Sequence, residues 1–495
     1  MTDNLSPEAS KVLGFGTKAG LFDCDAMIIG LSGGPDSVML GEVLCEIRSV
    51  TEGFPKLYAV HINHNIREEA GNDEAFAADW AKAHGVEFRS YSFDIPKLSK
   101  EMGRSEEETG RILRYKAFRE FADGIGEKRT FIAVAHHKDD IAETMMLNLF
   151  RGSGLDGLVS PVAKNGQIVR PLLCLTKAEI LRYLTDRGIS YCTDKTNDST
   201  DYSRNAWRNE IFPMISKYSV KSPTDALSDT YELLKADLEL IDKLTDKAYE
   251  EAVIREVGHP FIRTDFLKGS EEAIAGRLIR RLWGEIFGNL TDLSSTNVRE
   301  AKEVMTSDGH AARQIDMPFS RICIRAGGFA TFCENGDETR VMRLLTKTMG
   351  YVVAPCPVSV PIECGKTTIL PNSDIQITCE IIENSDELAY NNKSWFYPIF
   401  DDRIPEGFKA GSGDLRLKFR NAGSDSSKPL SRLFADRHIP RQARDGILYL
   451  ELEGEIMWIP GIGATCGAVS SRAYDALVKA AGGAVPRRFL RFCIA

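Results

Sequence analysis

The first two hundred residues alternate short apolar runs with amphipathic stretches, the pattern of a parallel sheet covered by helices. Residues 26–31 form a compact apolar run that stops at Ser32-Gly33-Gly34. Residues 37–49 then show helical spacing, with Val38, Leu40, Val43, Leu44 and Ile47 available to face a core. Residues 57–62, 86–93 and 130–135 predict further strands, and residues 68–84, 105–122 and 139–150 the helices between them. From about Ser222 the pattern changes: residues 227–252 and 271–287 repeat apolar positions at spacings of three and four. Short β-like runs follow at 351–360, 375–382, 415–420 and 456–460, the last two separated by a basic, helix-like stretch. The expected architecture is α/β. A doubly wound parallel-sheet N-terminal domain (1–215) precedes a helical substrate-binding middle domain (220–345) and a small α+β C-terminal domain (385–495).

Composition narrows the class. With 43% hydrophobic and 27% charged residues the chain is globular, and its formal charge of −9 requires any nucleic-acid contact to come from a local basic patch. The eleven cysteines are scattered singly, with no Cys-x-x-Cys, so zinc and thioredoxin-like spacings are excluded and reduced thiols are expected. No basic start leads into an apolar run, and no apolar stretch approaches the ~20 residues that span a bilayer. A cytoplasmic protein without membrane contact is expected.

The central chemical signal is Ser32-Gly33-Gly34-Pro35-Asp36-Ser37 between a buried strand and a helix. The glycines let the backbone approach an anion, and the helix start turns free N–H groups toward it. Ser32 and Ser37 add hydroxyl donors. Asp36 would be repelled by bare phosphate, so it makes sense beside Mg²⁺ or acting on the reacting centre. No Gly-Lys-Ser/Thr is present, so this is not a Walker loop. The six-residue string resembles the pyrophosphate loop of N-type ATP pyrophosphatases, which transfer AMP from ATP to a substrate oxygen.

In an open parallel sheet, ligands bind beyond the C-terminal strand ends near the point where strand order reverses. The second predicted strand runs into His61-Ile62-Asn63-His64-Asn65-Ile66-Arg67, and the fourth into His136-His137-Lys138-Asp139-Asp140-Ile141-Ala142-Glu143-Thr144. Both clusters should share the rim of the Ser-Gly-Gly loop. Zinc is a poor fit to the second, because adjacent histidines do not easily face one tetrahedral ion. Contacts to substrate and Mg²⁺-ATP are the better reading. Asp140 and Glu143 lie three apart on one helix face and could hold a ligand ammonium.

Taken together, these motifs resemble the tRNA(Ile)-lysidine synthetase family along nearly the whole chain. Further matches are Glu107 to Tyr115 (with Gly110 in place of Ala), Arg151-Gly152-Ser153-Gly154, Gly157-Leu158 and Arg170-Pro171-Leu172-Leu173. Asp194-x-Thr196-Asn197 leading to Arg204-Asn205-x-x-Arg208 also fits. Ile141 stands where the family has Gln, and Ser160-Pro161 where it has Gly-Met. Both departures leave the fine substrate fit open. Near the C-terminus, Lys428 to Phe434, Ile439-Pro440, Arg444 and Trp458 to Gly463 resemble the family's RNA-contacting domain. Eight Lys or Arg stand against three Asp between Gly413 and Arg444, a patch suited to a phosphate backbone.

The resemblance implies ATP and Mg²⁺, free L-lysine, and the isoleucine tRNA with a CAU anticodon. It implies adenylation of the wobble cytidine C2 carbonyl, then displacement by the lysine ε-amine. On that reading Ser32, Gly33, Gly34, Pro35, Asp36, Ser37, His61, His64 and His136 bind ATP. Asp36, Arg111 and Arg114 carry catalysis, with Asp36 also the candidate Mg²⁺ ligand. Asp140 and Glu143 take lysine, while Arg204, Arg208, Arg416, Lys428 and Arg432 take substrate or RNA phosphates. A tRNA thiolase with the same loop is the rival within the class, and the missing paired cysteines count against it. A non-catalytic RNA-binding protein with a vestigial nucleotide site is the rival outside it, and the intact loop residues count against that. Oligomeric state stays open, a homodimer included, as do the base that deprotonates lysine and discrimination against the methionine tRNA.

Overall fold

The parallel strands carry apolar side chains on alternate sides, and both sides are covered. The structure is a computed structural model and describes residues 5–63, 70–192, 203–290, 293–309, 312–383, 393–399, 404–420, 426–465, 474–475, 478–479 and 481–495. It divides into two compact units, Met1–Leu240 and Ile241–Ala495.

The sheet of the first unit comprises β1 (Ala26–Gly30), β2 (Lys56–Asn63), β3 (Glu87–Ser92), β4 (Thr130–Ala133), β5 (Lys164–Asn165) and β6 (Ile168–Val169). Its helices are α1 (Pro7–Lys18), α2 (Pro35–Val50), α3 (Ala70–Ala83), α4 (Ile95–Met102), α5 (Glu106–Gly124), α6 (Lys138–Phe150), α7 (Leu155–Leu158) and α8 (Lys177–Asp186). The strand order is β3-β2-β1-β4-β6-β5. β1 pairs in parallel with both β2 and β4, and only β5 runs antiparallel to its neighbour. Met27, Ile29 and Leu31 enter a core with Val12, Val38, Leu44, Trp80, Ile180 and Leu184 from α1, α2, α3 and α8. Ala26 and Ile28 enter the opposite one, with Tyr58, Val60, Ile132 and, from α5, Phe118 and Ala122. Burying each large side chain contributes roughly 1.5–3 kcal/mol, which fixes the register of the strands and the helices that cover them.

The chain builds outward from β1 to β2 and β3, then returns to place β4 on the other side of β1. The reversal opens a crevice beyond the C-terminal ends of β1 and β4, where the loop at Ser32 and the cluster at His136 begin. After α8 come α9 (Ser203–Ala206), a π-helical turn (Trp207–Ile211), α10 (Phe212–Ser216) and the long α11 (Pro223–Ala252), which carries the chain into the second unit.

The middle of the chain is helical as expected, with Glu272–Phe287 and Ser295–Thr306, and it also contains a five-stranded antiparallel sheet. Leu278, Leu282 and Trp283 pack on Cys323 and Phe332 of that sheet. Its central strands are buried almost throughout, so they lack the alternation that would have announced them. The C-terminal part holds one five-stranded and one four-stranded antiparallel sheet around Trp395, Trp458 and Phe492, with a short helix at Leu430–Asp436. The described cysteines are all free, and no helix among the described residues is long and apolar enough to cross a membrane.

Candidate active site at the switch point

The loop after β1 is held by its own side chains. Gly33 has φ +89°, a region where a Cβ is strained, and a Cβ there would also lie 3.3 Å from Cys192 Sγ. Gly34 is the N-cap of α2 with extended backbone, and Pro35 occupies the first turn, where its missing N–H costs nothing. Ser37 Oγ accepts from the Ser32 N–H at 3.1 Å and donates to the Gly34 carbonyl at 3.0 Å, closing the loop. The first-turn N–H groups of α2 lack helical acceptors and face outward from this cradle.

Three helix N-termini converge beside it. Asp36 opens α2, His137 caps α6, and Lys177 opens α8 behind its capping residue Thr176. Lys177 Nζ lies 2.5 Å from Asp36 Oδ1, while Asp36 Oδ2 lies 3.8 Å from His137 Nε2. Asp140 caps α6 by accepting from the His137 N–H at 2.8 Å, and its Oδ2 is 3.7 Å from His137 Nε2. Asp139 points the other way, accepting from the Lys177 N–H at 2.8 Å and the Thr224 hydroxyl at 3.1 Å.

Electrostatics follow from these distances. His137 is 1% exposed. Burial disfavours its charged form, but Asp139, Asp140 and Asp36 outweigh burial and raise it above the ordinary histidine value. Burial also opposes ionisation of Asp139, yet His137, the Lys177 N–H and Thr224 hold its carboxyl at about 2.

The two histidine-bearing strand ends flank the cradle. His61 is buried and its Nδ1 donates to the Leu31 carbonyl at 2.8 Å, so it fixes the residue from which the loop departs. His64 lies outside the described residues, as does the Asp194–Asn197 stretch. His136 Nδ1 accepts from Arg170 Nε at 3.2 Å; arginine only donates, which leaves the proton of a neutral His136 on Nε2. Arg170 is itself buried and anchored on the Val162 carbonyl at 2.8 Å. Arg111 and Arg114 are in the first half of α5, the end that meets the C-terminal rim of the sheet, and Arg111 stacks over Tyr115 at 5.5 Å.

Asp140 and Glu143 do share a face of α6, and the structure joins them to Arg208. Arg208 Nε donates to Glu143 Oε1 at 2.7 Å, and its Nη2 lies 3.6 Å from Asp140 Oδ1. Glu143 is 1% exposed, and its Oε2 has no partner among the described residues. Burial raises the Glu143 carboxyl despite the pull of Arg208. Arg204 lies in α9, and its side chain is outside the described part. In the second unit Arg416, Lys428 and Arg432 are all exposed, and Lys428 pairs with Asp436 at 2.8 Å. Of the two family departures, Ile141 packs in the core beneath the sheet, and the Pro161 carbonyl accepts from the Tyr231 hydroxyl at 2.9 Å.

Lys177 was not legible as a site residue. The only local hint was Thr176-Lys177-x-Glu179, a capping box that marks a helix start without saying where it points. Among the described residues no three His, Cys, Asp or Glu side chains form a group able to hold a metal alone. Mg²⁺ needs no such cage, taking one or two carboxylates with phosphates and water, and Asp36 beside an anion cradle fits that donor set.

A parallel sheet with a glycine-serine anion cradle at its switch point defines an ATP-handling PP-loop domain, and residues 8–215 match the PP-loop domain family model. Residues 409–478 match the TilS substrate C-terminal domain. The tRNA(Ile)-lysidine synthase of Caldanaerobacter subterraneus subsp. tengcongensis is 31% identical over 441 residues, covering 88% of this chain and 89% of that one. That of Geobacter sulfurreducens is 32% identical over 463 residues, covering 91% and 92%. The chain belongs to the tRNA(Ile)-lysidine synthase family. Among solved structures, a U34-tRNA thiolase from Methanococcus maripaludis is 19% identical over 46% of this chain and 78% of its own, with a TM-score of 0.38.

Proposed function

We propose that this chain performs the family reaction, adenylating the wobble cytidine of tRNA(Ile) and joining lysine to it, with the site at the β1–β4 switch point. The carbon–nitrogen ligase activity follows from family membership, which also removes the thiolase reading. The observation that carries the assignment of the site is Asp36, which stands on the anion cradle and contacts both Lys177 and the His137 cluster.

The C2 carbonyl of cytidine is a poor electrophile because it is conjugated with the ring nitrogens. Transfer of AMP to its oxygen, with release of pyrophosphate, makes that oxygen a leaving group. The lysine ε-amine then forms the C–N bond and AMP departs with the oxygen. The cradle of Ser32 to Ser37 binds the departing pyrophosphate through backbone N–H groups and hydroxyls. Asp36 would hold Mg²⁺, which supplies charge neutralisation on the phosphates when bound. Lys177, Arg111 and Arg114 place cations where charge develops on the transferred phosphoryl group, and His136 offers Nε2–H as a donor. Glu143 Oε2, buried and unpartnered, fits a ligand ammonium, and Arg208 beside it fits a carboxylate. Free L-lysine carries both groups.

The test is incubation with ATP, radiolabelled lysine and transcripts of the isoleucine and methionine tRNAs. Label should enter only the isoleucine transcript, and Asp36→Ala should abolish it while leaving the fold intact by circular dichroism. Label in both transcripts, or full activity of the Asp36 variant, would overturn the reading.

A further inference from the structure

Beside the site lies an aromatic step that the chemistry above does not use. Phe150, the last residue of α6, is 74% exposed, and its ring centroid is 5.5 Å from that of Trp207 with the planes 30° apart. Trp207 in turn contacts the buried Phe212 at 5.7 Å, which backs the pair from below. An exposed phenylalanine ring at a helix end contributes little to folding, and held against a second ring it offers a flat apolar face to a partner.

The step is tied to the active site through the chain itself. Trp207 precedes Arg208, whose guanidinium bonds Glu143, and Glu143 and Phe150 are seven residues apart on α6. At 1.5 Å per residue that is about 10 Å along the helix. Cations flank the rings in the chain: Arg151 follows Phe150, Arg208 follows Trp207, and Lys217 caps the end of α10. Arg151 and Lys217 make no ion pair with described residues, and Glu210 is the one acid in the turn Trp207–Ile211. A flat π-face whose next residue is an arginine without an ion pair to described residues matches a single-stranded RNA base and its phosphate, since every base offers a face to stack on. A purely apolar protein partner would leave those cations facing nothing.

We propose that Phe150 and Trp207 form a stacking platform for an anticodon-loop base next to the reacting cytidine, with Arg151 and Lys217 on its phosphates. The proposal rests on the tRNA reading above. It adds a specificity-determining contact, one that holds the loop splayed so that the wobble base can enter the crevice.

The probe is the anticodon stem-loop of tRNA(Ile) carrying 2-aminopurine at either position flanking the wobble cytidine. Stacking on the wild-type enzyme should quench one of the two probes. Phe150→Ala removes an exposed ring and should keep the thermal melt unchanged. It should abolish that quench and raise the KM for tRNA about tenfold or more, with the KM values for ATP and lysine unmoved. Phe150→Tyr should restore both, and Trp207→Ala should repeat the loss. Unchanged quenching and unchanged tRNA KM in Phe150→Ala would overturn the proposal. So would a variant whose only change is a shift in sedimentation, which would assign the step to a second copy of the chain. If wild-type protein quenches the probe yet forms no lysidine, the reaction assignment fails and the platform stands.

Discussion

Replacing Asp139 by Asn should weaken the first unit by about 2 kcal/mol at neutral pH, and the loss should vanish in acid. Asp139 joins three elements: the Lys177 N–H at the start of α8, the Thr224 hydroxyl at the start of α11, and the His137 ring, whose Nδ1 is 3.5 Å away. Its side chain is 25% exposed, so solvent screens these contacts only in part. Burial raises the carboxyl, but those partners bring it below the ordinary aspartate value, to about 2. At 1.36 kcal/mol per unit, that depression is worth about 2 kcal/mol of folding free energy. The sign is set by the folded value lying below the unfolded one. The contribution is complete above about pH 5, shrinks as pH falls through the unfolded value, and is gone below about pH 2. Asn keeps the shape and one acceptor but carries no charge, so it forfeits this term. The two units need not unfold together, so the readout must belong to the first one. Met27 and Met39 are fully buried there, and their oxidation by peroxide across a urea series, read by mass spectrometry, reports its opening. The variant should shift the oxidation midpoint at pH 7 and shift it about half as far at about pH 3. An equal shift at both pH values would show that hydrogen-bond geometry, not charge, holds α6 to α8. No shift at all would refute the contact.

Lys177→Met should lower kcat by about 10²- to 10³-fold with a smaller change in the KM for ATP, because its ammonium acts where phosphoryl charge develops; single-turnover pyrophosphate release measures it. Gly33→Ala should cost about 1–2 kcal/mol through the left-handed backbone and weaken ATP binding, checked by the same oxidation series and by calorimetry. Glu143→Gln should raise the KM for lysine about tenfold or more and leave that for ATP unchanged, since it removes the carboxylate charge that faces the ammonium and Arg208. Arg432→Ala, in the second unit, should reduce the salt slope of tRNA binding by about one and leave the KM values for ATP and lysine as they were.

Much of the nucleotide side of the site was legible in the sequence because its signals are local. Ser32 to Ser37 combines a positive-φ glycine, a proline in the first helical turn and a hydroxyl that closes the loop, all within six residues. The helical spacing that paired Asp140 with Glu143 is equally local, and both do meet one partner. What the spacing could not give was that partner. Arg208 lies 65 residues beyond Glu143, and its guanidinium was assigned to phosphate without reference to the carboxylates it bonds. Lys177 reaches Asp36 from 141 residues away, after a 3₁₀ turn at Pro171–Cys174 whose direction no propensity encodes. The sheet in the middle of the chain was hidden for a different reason. Strands buried on both faces lose the period of two, and short ones then look like any apolar run.

The placement of the carboxylates explains how a site built on three helix N-termini can handle both an anion and a cation. Helix starts attract negative charge, and α2, α6 and α8 all begin at this rim. Left bare, such a rim would bind phosphate and repel the ammonium of lysine. Asp36 and Asp140 sit in the first turns and bring anions of their own, with His137 between them. Asp139 turns away to tie α6 to α8 and α11, so its charge is spent on the scaffold. Polarity then divides along the crevice. Toward α2 the cradle and Lys177 would present N–H groups and a cation to a nucleotide bound as proposed. Toward the interior of α6 the buried Glu143 presents an acceptor backed by Arg208. A lysine held there would have an ammonium on Glu143 and its carboxylate near Arg208. Neutralising the two poles, by Lys177→Met with Glu143→Gln, should therefore leave α6 and α8 folded while depressing both half-reactions. Full retention of either half-reaction in that double variant would show that the division of charge along the crevice is not what orders the chemistry.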